Sequence, residues 1–326
     1  MVAHPPRIDL DRLKASLLGE GAAARTEPPP VTVGQCAALL KRANEVFRPH
    51  LAPLGHSVET FVNIAGTGND TEAETAPVLA AMLNRMHPQM NPDTMTDRAT
   101  VDHLQACVDT VLRDGVPGDL IETGVWKGGL TVLMRGVLQA RGVVDRLVWV
   151  ADSFVGMPQP DPRTALTDAV WHFLVEPIDW LCIPQDVVEA TFRQHELLDE
   201  QVRFLPGWFA DTLPSAPIDR LAVLRLDGDW YDSTKCAIET LYPRLSPGGF
   251  IEIDDYGLPL GCRQAVDEYR QLHAIDEPIQ WVNHQVVCWR KRIDATAGQQ
   301  EPGKGSDGAG HVSRCSARVA VGALAG

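Results

Sequence analysis

The sequence predicts an α/β fold, a mostly parallel seven-stranded sheet with helices on both faces and a helical N-terminal lead-in. Three observations predict it. Short apolar runs after Asp119 alternate with stretches of helical spacing, the pattern of strand–helix–strand units. Several of those runs end on an acid, as strands do when a site lies beyond their carboxyl ends. The first third of the chain has apolar residues at helical spacing only.

Within 31–115, the helical lead-in, Ala37, Leu39, Leu40, Ala43, Val46 and Phe47 share one face of a first helix. A second helix spans about 76–86. A third runs from about Asp97 to Arg113, with Val101, Leu104, Cys107, Val108, Val111 and Leu112 on one side. Strands then follow at 119–123, 147–151, 202–205, 221–226 and 249–253. Between them lie helices at about 130–141 and 233–245, the latter expected to be capped by Asp232. A helix at about 262–272 leads to two closing strands, near 279–282 and 285–289, joined by a polar Asn283-His284 turn as an antiparallel edge. Residues 1–30 read as a flexible segment, because Gly19 to Pro30 is rich in Gly, Ala and Pro. Residues 294–326 have almost no large apolar side chains and read as a disordered tail.

The chain has 326 residues, 44% of them hydrophobic, and a formal net charge of −14. That balance disfavours nucleic acid or an anionic membrane face as partner. No apolar run approaches the ~20 residues of a bilayer span, and no signal core precedes Leu10, so the expectation is a cytoplasmic protein. Seven scattered cysteines without a C-x-x-C pair read as reduced thiols.

Glu122, Asp152, Asp227, Asp254 and Asp255 all stand at expected strand ends. The turn after the first strand, Gly124 to Gly129, lacks both the dinucleotide and the phosphate-loop glycine patterns, and Glu122 would repel a pyrophosphate. Asp152 suits a ribose diol. A zwitterion beside Glu122 and a diol beside Asp152 together describe S-adenosylmethionine. Asp227, Asp254 and Asp255 converge as a set of oxygen ligands that would repel one another without a cation, and such a set favours Mg²⁺.

Five segments carry a family resemblance: Asp119-Leu-Ile-Glu-Thr-Gly-Val-Trp-Lys-Gly-Gly129, Ala151-Asp-Ser-Phe-Val-Gly-Met-Pro158, Gly207-Trp-Phe-Ala-Asp-Thr-Leu-Pro214, Leu226-Asp-Gly-Asp-Trp-Tyr-Asp-Ser-Thr234 and Pro247-Gly-Gly-Phe-Ile-Glu-Ile-Asp-Asp-Tyr256. In this order they resemble the macrocin O-methyltransferase family, S-adenosylmethionine- and Mg²⁺-dependent enzymes that methylate sugar hydroxyls of macrolides, aminocoumarins and similar natural products. The resemblance spans roughly Asn91 to Arg292, and the stretch from Gly55 to Gln89 fits no pattern of the family.

The resemblance implies a Rossmann-like class I methyltransferase domain over 116–293. It implies cofactor contacts at Thr94, Met95, Glu122, Gly124, Asp152, Ser153, Asp211 and Asp227. It assigns the metal to Asp227, Asp254 and Asp255, and the general base to Asp229. The rivals for base are His172, His195 and His284. The lead-in and the segment from Asp161 to Glu196 are expected to form an acceptor lid. The implied partner is a glycosylated small molecule, with no nucleic acid and no membrane, and the implied assembly is a homo-oligomer. Two alternatives stay open: a Mg²⁺-dependent O-methyltransferase of phenolic or catechol substrates, and a cofactor-binding module without catalysis.

Overall fold

The computed structural model describes residues 8–20, 30–60, 62, 75–86, 93–175, 181–258 and 260–293. Seven strands, β1 (Asp119–Thr123), β2 (Val148–Asp152), β3 (Val202–Pro206), β4 (Leu221–Leu226), β5 (Leu245–Ile253), β6 (Gln280–Trp281) and β7 (Val287–Arg290), form one sheet in the order β3-β2-β1-β4-β5-β7-β6. The first five are parallel, and β7 joins β5 and β6 antiparallel. The expected edge hairpin is therefore present. The order reverses between β1 and β4, which opens a crevice at their carboxyl ends.

Ten α-helices are described: α1 (Leu10–Leu17), α2 (Val33–Leu51), α3 (Thr75–Met86), α4 (Arg98–Arg113), α5 (Gly129–Ala140), α6 (Leu166–Val175), α7 (Gln185–Gln194), α8 (Phe209–Thr212), α9 (Tyr231–Leu241) and α10 (Cys262–Leu272). Side chains of α1, α4, α5 and α7 share one core with one face of the sheet, including Leu120, Val148 and Val150. Those of α9 and α10 pack with the other face, around Ile121, Leu224 and Trp289. Alternate residues of β1 and β2 thus enter opposite cores, as the two-residue repeat of a strand requires. Each fully buried Leu or Val contributes about 1.5–3 kcal/mol over its exposed state.

A third core is separate from the sheet. Leu40, Phe47 and Leu51 of α2 and Leu79 and Leu83 of α3 meet Val170, Trp171 and Leu174 of α6, and Trp230 joins them from the loop after β4. This helical layer is therefore built from the lead-in together with part of the 161–196 segment. Helix α4 belongs elsewhere: its Val101, Leu104, Val108 and Val111 lie against the sheet.

Three sequence expectations are corrected. The 1–30 segment contains α1, whose Leu13 and Leu17 are buried. Asp9 caps this helix by accepting the N–H groups of Asp11 and Arg12 at 3.1 and 3.2 Å, and Lys14 pairs with Asp102 at 2.8 Å. The Gly/Ala/Pro composition behind the flexible reading lies downstream of Leu18, whereas Leu10, Leu13 and Leu17 keep helical spacing. Second, β5 starts at Leu245, four residues before the expected Gly249. Third, α9 begins at Tyr231 with Trp230 at its N-cap, so Asp232 lies in the first turn and is not the cap. Residues 1–7, 21–29 and the expected tail at 294–326 lie outside the described residues.

Candidate active site

The crevice between β1 and β4 is closed at its floor by main chain. A Cβ at Gly124 would run into the carbonyl oxygen of Asp227, so only glycine permits these loops to touch. The Gly124 N–H donates to the Ala151 carbonyl at 2.8 Å. Asp152, at the end of β2, faces the same turn. Its Oδ2 accepts the Val125 N–H at 2.8 Å, and its Oδ1 accepts the Phe154 N–H at 2.9 Å. Burial raises the Asp152 pKa, and these N–H groups partly oppose the rise. The Ser153 hydroxyl donates to the Gly156 carbonyl at 2.5 Å. Thr94 is buried and Met95 half-buried in the segment that leads into α4. That segment reaches the start of α5, where the Gly129 N–H donates to the Asp93 carbonyl at 3.0 Å.

Asp227, Asp254 and Asp255 come together as the sequence predicts. One carboxylate oxygen from each lies within 4.8 Å of the others. Asp229 stands beside them, its backbone N–H donating to Asp255 Oδ2 at 3.1 Å. Burial pushes the pKa values of Asp227, Asp229 and Asp255 well above the ordinary carboxylate range. Neighbouring acids add to it: Asp254 and Asp255 act on Asp227, Asp227 and Asp254 on Asp229, and Asp229 and Asp254 on Asp255. The all-oxygen donors of Asp227, Asp254 and Asp255 fit a hard divalent cation.

The sequence reading missed Arg225. This guanidinium is 1% exposed and holds four acids. Its Nε donates to Glu122 at 2.9 Å, and its two terminal nitrogens reach Glu252 at 2.5 Å, Asp227 at 3.0 Å and Asp254. Glu122, Arg225, Glu252 and Cys288 sit side by side on β1, β4, β5 and β7. The row continues to His103 of α4, which bonds Glu252 at 2.5 Å and Cys288 at 3.1 Å. Burial raises the Glu122 pKa to about 8 against the pull of Arg225, and Glu122 Oε2 is buried with no partner. The available signal was a charge inside an otherwise apolar strand, Leu221 to Leu226.

The remaining candidates are spread around this centre. Asp211 is exposed in α8, on the loop after β3, and that loop is tied to the site by the Gly207 N–H, which donates to the Asp152 carbonyl at 2.9 Å. Of the rival bases, His172 packs against Trp230 with ring centroids 6.1 Å apart, and His195 pairs with Asp93 at 3.4 Å. His284 lies in the β6–β7 turn. Trp230 and Tyr256 are core residues, whereas Trp208 is exposed near Asp211. Among the described non-glycine residues, five have a left-handed φ, and Trp126, Phe154 and Asp229 are three of them. Strain of this kind concentrates at functional loops.

Comparison with known proteins gives consistent findings. The macrocin-O-methyltransferase (TylF) family matches the chain over residues 50–291. The match takes in the whole of the 55–89 stretch, which the motifs leave outside the family pattern, and so extends the family's span upstream of Asn91. The chain is 50% identical over 233 residues to the 8-demethyl-8-(2,3-dimethoxy-alpha-L-rhamnosyl)-tetracenomycin-C 4'-O-methyltransferase of Streptomyces olivaceus, covering 72% of this chain and 85% of that protein. It is 50% identical over 200 residues to the mycinamicin III 3''-O-methyltransferase of Micromonospora griseorubida, covering 61% of this chain and 78% of that protein. The solved structure of the O-methyltransferase NovP is 38% identical, with a TM-score of 0.61 over 79% of this chain and 100% of that chain.

Proposed function

Because the chain belongs to the macrocin-O-methyltransferase family and is an O-methyltransferase with S-adenosylmethionine as its methyl donor, we propose that it methylates a sugar hydroxyl of a glycosylated secondary metabolite with the help of Mg²⁺. The observation that carries the metal reading is the convergence of Asp227, Asp254 and Asp255 within 4.8 Å, next to Asp229 and at the point where the strand order reverses. The sugar acceptor is supported by the relatives, named for methylation at 4' and 3'' positions of glycosylated antibiotics.

In this reading Thr94 and Met95, in the segment leading into α4, contact the cofactor. Glu122 offers its unpartnered Oε2 to the amino group, and Gly124 admits the cofactor close to main chain. Asp152 and Ser153 take the ribose hydroxyls, Asp211 lies toward the adenine, and Asp227 borders the sulfonium side. Asp227, Asp254 and Asp255 would hold Mg²⁺, which when bound acidifies and orients a coordinated hydroxyl. Asp229, beside those acids, accepts the hydroxyl proton. Much of the rate comes from holding the oxygen in line with the methyl group. A cytoplasmic location and a homo-oligomeric assembly complete the reading, and the −14 charge supports the absence of nucleic-acid partners.

The test supplies methyl-labelled S-adenosylmethionine with a panel of deoxysugar glycosides and catechols. Label should enter a glycoside, EDTA should stop transfer and Mg²⁺ should restore it. Mg²⁺ at 100 times its dissociation constant should also stabilise the fold by about 2.7 kcal/mol. Undiminished transfer in EDTA, with no thermal response to Mg²⁺, removes the metal; transfer to catechols alone removes the sugar acceptor.

A further inference from the structure

One buried acid outside the proposed site touches both of the loops that carry it. Asp168 lies in the first turn of α6 and is 1% exposed. Its Oδ2 accepts the Tyr231 N–H at 2.7 Å, and its Oδ1 accepts the Gly261 N–H at 2.7 Å. Tyr231 opens α9, directly after Asp229-Trp230, and Gly261 is the N-cap of α10, shortly after Asp254-Asp255. Neither helix has a side-chain cap at its own N-cap residue. A single carboxylate therefore serves two helix N-termini, where the peptide dipoles favour negative charge.

The approach is tight. A Cβ at Gly261 would collide with Asp168 Oδ2 and with Tyr231 Cβ, so the sequence at this corner is constrained to admit the carboxylate. The helix that carries Asp168 packs into the third core with α2, α3 and Trp230, apart from the sheet. Asp168 is thus a direct polar tie between the helical layer and the two acid-bearing loops.

We propose that Asp168 is a positioning residue. It fixes the Asp227–Asp229 loop against the Asp254–Asp255 loop and couples both to the helical layer on the acceptor side. The inference rests on the reading of those acids as metal ligands and base. Without Asp168, the four acids keep their identities but lose their fixed spacing, and the reacting hydroxyl loses its alignment with the methyl group.

The test uses the full chain with Asp168→Ala and Asp168→Asn, the latter keeping the shape but only one acceptor oxygen. Hydrogen exchange without acceptor or metal should speed up about tenfold at the Tyr231 and Gly261 amides in Asp168→Ala, with the sheet unchanged. Asp168→Asn should show an intermediate effect. With a working acceptor, kcat should fall about tenfold or more. The affinity for S-adenosylmethionine should stay within about twofold, and Asp168→Asn should recover part of the rate. Unchanged exchange at both amides in both variants would overturn the clamp. So would equal losses of kcat and cofactor affinity in both, since that marks a general role in the fold. A wild-type chain inert toward every glycoside would sink the functional reading instead, and the exchange measurement would still decide the clamp.

Discussion

Asp229 is held at a φ of 53°, a left-handed value that costs a non-glycine residue about 1–3 kcal/mol. Its N–H bond to Asp255 Oδ2 helps keep it there. This conformation stands between Asp227, which touches Arg225, and Trp230, which belongs to the helical layer. Replacing Asp229 with Asn keeps the size and removes the basic oxygen. We expect kcat to fall by about 10²- to 10⁴-fold, with cofactor affinity unchanged by calorimetry. A rate near that of the wild type would dismiss Asp229 as the base and turn attention to His172, which packs on Trp230. Asp152, Asp227 and Asp254 were conspicuous in the sequence because each ends or directly follows a strand run. Arg225 stood out only as a charge inside an apolar strand, and what it and Asp168 do was not legible, because their partners come from other elements. Glu122 is 103 residues from Arg225, and Tyr231 is 63 from Asp168.

At the scale of elements, helix α5 follows the Gly124–Gly128 turn and is anchored at its middle by a charge. Arg135 is 5% exposed and donates through Nε to Asp199 at 3.0 Å, ahead of β3. Burial works to raise the Asp199 pKa, but the Arg135 hydrogen bond and the neighbouring N–H of Gln201 outweigh it, so the pKa is lowered. A lowered folded pKa stabilises the protein at pH above the unfolded value of about 3.9, and that stability is lost as pH falls through the folded value. Asp199→Asn should therefore cost about 1–3 kcal/mol near neutral pH, and the difference from wild type should shrink below about pH 4. Melting curves across about pH 3–7 check this; a gap that stays constant to the acid end would assign the loss to packing. The strands and the antiparallel edge were readable because their apolar runs are short and punctuated by Gly and Asp. The strand order was not readable, since nothing local tells β1 to sit between β2 and β4. Helix α1 was obscured by the Gly- and Pro-rich stretch that follows it, and the capping of α9 by an acid from α6 has no local trace.

On the scale of the whole molecule, the net charge of −14 is unevenly significant. A small group of acids gathers at one edge of the sheet around a single buried guanidinium, and many others, such as Asp114 and Glu189, form ion pairs at the surface. The strand order carries a separate consequence for biosynthesis. The last strand among the described residues, β7, is interior, between β5 and β6. Its Cys288 meets His103, and Asn283 and Gln285 just before it bond Thr100 at 3.0 Å and Asp254 at 3.3 Å. A nascent chain on the ribosome therefore carries β5 with an open edge until β7 emerges, and an unpaired edge invites aggregation. Stalled chains ending at Asn283, short of β7, should be protease-sensitive around 245–253, while released full-length chains resist; equal resistance in both would show that β5 is protected without β7.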